Sequence, residues 1–130
     1  MSRPTARLAQ SSIVHVLIAF LAMGGWAWFA NRAHPPASAL MAAFVQGCLS
    51  GAITLVLKTA IEFLVKRLSG VAALVIPPMA AFLTSTILLS AIHMIARTPE
   101  ILVTIALPLT VSTSYAFAYS YSLWSLGKYR

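Results

Sequence analysis

The chain has 130 residues, 60% of them hydrophobic and 8% charged, with a mean hydropathy of +0.89. A water-soluble domain needs a solvated shell and carries roughly a quarter charged residues, so this composition excludes one and leaves hydrocarbon as the surroundings. Nine Lys and Arg against two acids, Glu62 and Glu100, give a net charge of +7; the cations stand between apolar blocks rather than in one patch, which speaks for membrane topology and against a nucleic-acid partner.

The first apolar block runs over 12–30, behind Arg3 and Arg7. It is too long for a signal-peptide core, and Trp26, Trp28 and Phe29 stand where a small-residue cleavage site belongs, so it is expected to be a retained span. Those aromatics suit the membrane–water interface. His34-Pro35-Pro36 then breaks the helix. The second block spans 38–64 and carries Lys58, Glu62, Lys66 and Arg67 toward its end; Ser69-Gly70 follows as a stop.

The third block contains Pro77-Pro78. A proline pair fits the first turn of a helix, where the missing N–H groups are unpaired anyway, so the regular helix is expected over 77–96, with 71–76 as an interfacial lead-in. A single kinked helix from Val71 is the alternative. Arg97-Thr98-Pro99-Glu100 makes a tight connection to the last block, 101–124, in which Pro108 predicts a kink. Each block has the length that crosses a hydrocarbon core of roughly 30 Å, and in lipid such segments must be helices. The expected fold is an all-α membrane protein: a single four-span helix bundle with short loops.

Orientation follows from the cations. Arg3, Arg7, Lys58, Lys66, Arg67, Lys128 and Arg130 fall on one side, Arg32 and Arg97 on the other. The positive-inside rule puts both termini in the cytoplasm, in a bacterial inner (plasma) membrane. No internal repeat supports a duplicated transporter half.

On the second helix Gln46, Ser50, Thr54, Lys58 and Glu62 recur at every fourth position, which predicts one slowly drifting polar face. Beside it Ala39, Ala43, Gly47 and Gly51 form a small-residue stripe of the kind that lets helix backbones approach. Two readings are open. The helix packs centrally in the bundle, or the stripe lines a cavity or lipid groove. Lys58 and Glu62, four apart, either neutralise one another or snorkel to the interface; buried, they are a functional-site candidate.

On the third helix Thr86, Ser90, His93 and Arg97 share a face. His93 reads first as a hydrogen-bonded packing residue and second as a proton carrier. His34 and Glu100 lie on its side of the membrane, but no spacing signature makes a metal site of the three. On the fourth helix Ser112, Tyr115, Tyr119 and Ser122 form a face expected to meet the Gln46 face, while Tyr121, Trp124 and Tyr129 resemble an aromatic belt.

Cys48 is the only cysteine and supports neither a disulfide nor a thiolate metal site. There is no aspartate, no nucleophile beside a base and no phosphate-cradling glycine loop, so neither an enzyme nor a cofactor is expected. In size and span count the chain is similar to small four-span families such as the GtrA-like proteins and the small multidrug exporters. The similarity is one of topology without a shared motif, and the first span lacks the intramembrane glutamate that those exporters use. Two functions are expected on these grounds. One is a transporter or translocator of a small or lipid-linked substrate, acting as a homo-oligomer in the lipid bilayer. The other is a non-catalytic accessory or scaffold subunit bound to a larger membrane-protein partner.

Overall fold

A computed structural model describes residues 3–127, with side chains from Ser12 onward. The cations at Arg3, Arg7, Lys128 and Arg130 and the aromatic Tyr129 therefore lie outside the residues whose side chains are described. The described chain forms four helices and no strand: α1 (Arg3–Ala30), α2 (Pro36–Arg67), α3 (Gly70–Ile95) and α4 (Ile101–Ser125). All four are long and apolar enough to cross a membrane.

The connections explain where the helices stop. α2 starts at Pro36, in the first position, where a missing N–H is harmless. Lys66 and Arg67 occupy its last turn, where cations favour the partial negative charge of the helix end. Leu68 and Ser69 are extended, and Gly70 turns the chain with a φ of +61°, a conformation that costs glycine little. α3 ends in a two-bond reversal: Thr98 N–H donates to the His93 carbonyl at 3.0 Å and Arg97 N–H to that of Met94 at 3.2 Å. Arg97 holds the left-handed position of that reversal, with a φ of +57°, which glycine usually takes.

The start of the third helix differs from expectation. Helix begins at Gly70, not near Pro77, so the single-helix alternative is the one adopted. Pro77 and Pro78 lie inside it, both buried. Neighbouring helices and local adjustment compensate the carbonyls that prolines orphan in a membrane helix. α4 likewise continues through Pro108.

α2 touches each of the other helices, whereas α1 and α3 do not meet among the described residues. The α1–α2 seam is built on glycine. A Cβ on Gly24 would stand 2.9 Å from the Ala43 carbonyl oxygen, and one on Gly47 would stand 2.9 Å from the Phe20 ring; Val16 covers Gly51. The small-residue stripe of α2 is thus occupied by α1 of the same chain. An apolar cluster of Leu57, Ile61, Val65, Ala73 and Ala116 joins α2, α3 and α4 in the half of the bundle holding the α2–α3 connection.

Candidate functional site

The polar residues of α2 do not share one surface. Four-residue steps advance about 40° round a helix of 3.6 residues per turn, so Gln46 and Glu62 stand about 160° apart. Gln46 and Ser50 are buried, Thr54 and Lys58 are exposed, and Glu62 is half-buried against α4. The expected single face is two sites at opposite ends of the bundle.

The first site is closed. His93 is fully buried, with Nε2 2.8 Å from Gln46 Oε1 and Nδ1 2.7 Å from Thr98 Oγ1. An amide oxygen only accepts, so Nε2 carries the proton and donates; the Thr98 hydroxyl then donates to a neutral Nδ1. Gln46 Nε2 donates to Ser50 Oγ at 2.7 Å, and Thr54 Oγ1 donates to the Ser50 carbonyl at 2.8 Å. The left-handed Arg97 places Thr98 for this role, because the chain reversal turns residue 98 back over the helix that bears His93.

A second polar group lies at the same end. Asn31, fully buried after the last turn of α1, donates through Nδ2 to the Ala27 carbonyl and to Thr104 Oγ1, both at 2.8 Å. Its Oδ1 accepts from the Glu100 N–H at 2.9 Å, one of the amides a helix start leaves unpaired. Trp26 Nε1 donates to the Val103 carbonyl at 2.9 Å, and His34 Nε2 lies 3.0 Å from Glu100 Oε1. His34 and Glu100 thus pair with each other, while His93 is bonded to Gln46 and Thr98. Among the described residues no three His, Cys, Asp or Glu side chains gather as a metal would need.

The second site is on the opposite half of the molecule. The Tyr119 hydroxyl donates to Glu62 Oε1, and the Tyr115 ring stacks on Tyr119 with centroids 5.7 Å apart and planes 15° from parallel. Lys58 does not pair with Glu62: among the described residues the Glu62 carboxylate has no cation within 4 Å. The expected meeting of this face of α4 with the polar residues of α2 is found at Glu62 and not at Gln46. Tyr119 meets Glu62, and Gln46 meets α3. The hydroxyls of Thr110, Ser112 and Ser122 donate to carbonyls of their own preceding turn, which is how such residues are accommodated in lipid.

Three participants have no place among the residues singled out from the sequence. Asn31 stands in a segment that reads as loop, and Thr98 in a connection where it looks like a spacer. Gly24 is one of two adjacent glycines in an apolar run; its signal was the matching small stripe on α2. No family model matches this chain, and neither the curated proteins nor the solved structures include a significant match to it.

Proposed function

We propose that this chain is a small inner-membrane translocator, working as an oligomer on a small or lipid-linked substrate, with Glu62 as its charge-carrying group. One observation carries the reading. Glu62 lies about 8 Å from the end of α2, half-buried against α4, accepting from the Tyr119 hydroxyl and without a cation within 4 Å among the described residues. A half-buried ionisable group on a spanning helix is a candidate for an ion or substrate path, where a proton or a cationic group supplies the compensating charge. Four helices are few to enclose a path, so the oligomer supplies the remaining wall. The cation distribution supports a topology with both termini in the cytoplasm, which a reporter fused to the last residue tests directly.

The decisive experiment is reconstitution. Wild type and Glu62→Gln are placed in liposomes under a pH gradient, and a lipophilic cation and a fluorescent lipid phosphate are followed in parallel. Movement of either probe by wild type and its loss in Glu62→Gln, with an unchanged elution profile, supports the proposal. A wild-type protein that moves neither, or a variant as fast as wild type, removes it.

The accessory-subunit reading is favoured by a different observation: the Gln46–His93–Thr98 network is closed on itself and offers no free polar group to a solute. Purification in a gentle detergent separates the two readings. A stoichiometric larger partner speaks for the subunit, and a homo-oligomer for the translocator.

A further inference from the structure

Between α2 and α3 lies an apolar cavity of about 260 Å³, open on one side to the surroundings. Ala52, Val56 and Ala60 form one wall and Pro77, Ala80 and Leu88 the other. From the geometry of the cavity and the charge at its end, we infer that it is a binding groove for one acyl chain of an anionic phospholipid, whose phosphate is held by Arg67.

Length argues for an acyl chain. The groove follows α2 from Ala52 to Leu64, about 18 Å at 1.5 Å per residue. One leaflet of a hydrocarbon core of roughly 30 Å is about 15 Å deep. A groove of one leaflet suits a lipid tail, whereas a partner's spanning helix needs the whole depth.

Charge argues for an anionic head. Val56, Ala60, Phe63 and Arg67 recur at spacings of four, three and four, so Arg67 continues the groove wall beyond its end. Its guanidinium is held on that row, 3.5 Å over the Phe63 ring, with Nη1 donating to the Phe63 carbonyl at 3.3 Å. The fork has five N–H donors, so others remain for a phosphate, the group its planar geometry matches. Lys66 is exposed as well, but stands about 100° from Arg67 round the helix, on the side of Glu62. The nearest acid in sequence, Glu62, lies about 140° from Arg67 round the helix and faces α4. The groove and the Glu62 site are on different sides of α2, so the two proposals fail separately.

The test uses the full chain in nanodiscs of phosphatidylglycerol and phosphatidylcholine in equal amounts. It is then released into detergent for native mass spectrometry of the lipid that stays bound. Wild type is expected to retain one phosphatidylglycerol per chain, with a preference of about fivefold from the one cation at the phosphate. Arg67→Gln brings the preference to parity, and Lys66→Gln leaves it unchanged. Ala60→Phe, and Ala80→Phe from the opposite wall, lose both lipids while keeping helical circular dichroism and monodisperse elution; the second variant stands in if the first does not fold. Leu21→Phe on the exposed surface of α1 retains lipid as wild type does. Equal retention of the two lipids by wild type overturns the assignment. So does undiminished retention by a folded groove variant, or a co-purifying membrane protein in the groove's place.

Discussion

The two ends of the bundle are held together by different forces. At the end of the 31–35 and 96–100 connections, Asn31, Gln46, His93, Thr98 and Thr104 are buried and bonded across helices and loops. At the end of the α2–α3 connection, Leu57, Ile61, Val65, Ala73 and Ala116 pack without directional bonds, and a groove remains open beside them. In lipid the hydrophobic effect does not drive helices together, because acyl chains are as apolar as leucine; packing and interhelical hydrogen bonds do. The bonded end therefore sets which helices are neighbours and in what register. At the packed end the Glu62–Tyr119 bond joins α2 to α4, and the groove lies open beside it.

Substitutions sharpen this contrast when stability is measured by reversible unfolding in mixed micelles. Gly24→Leu should have the largest effect, about 3 kcal/mol or loss of folding, because the Ala43 backbone oxygen that its Cβ meets at 2.9 Å cannot yield. Gly47→Ala meets only the rotatable Phe20 ring and should cost less, about 1 kcal/mol; equal costs for the two would break the account of the seam. His93→Leu strands the Gln46 oxygen and the Thr98 hydroxyl, for an expected loss of about 1–3 kcal/mol. A variant as stable as wild type would show that the closed network does not hold α2 to α3. Glu100→Gln removes the partly exposed pair with His34 and should change stability by less than about 1 kcal/mol. Smallest is Ala60→Phe at the open groove, within about 0.5 kcal/mol. A large loss there would mean that the groove is packed shut rather than vacant for lipid.

Four helices of spanning length were legible because each apolar block has the length and composition that lipid requires, and because Pro35-Pro36 and Pro99 mark the breaks. The start of α3 was not. A proline pair favours the first turn of an isolated helix, but within the bundle both prolines are buried and the helix runs seamlessly from Gly70. The polar residues were legible as residues and not as partners. Every fourth residue on α2 reads as a face, yet a drift of about 40° per step turns Gln46 toward α3 and Glu62 toward α4. Asn31 reads from the sequence as a loop residue after a span, because its three side-chain bonds exist only where the start of α4 stands beside the end of α1.

The sequence by itself determined four apolar helices, their approximate limits and the distribution of cations, since these depend on local composition and on the demand that every backbone amide be paired inside its own segment in lipid. Only the tertiary structure decided that α1 fills the glycine stripe of α2, that His93 closes on Gln46 and Thr98, and that Glu62 meets Tyr119. The physical reason is that helix pairing depends on which side chains interlock across tens of residues. In a chain whose surfaces are nearly all apolar, hydrophobic patterning does not distinguish one neighbour from another.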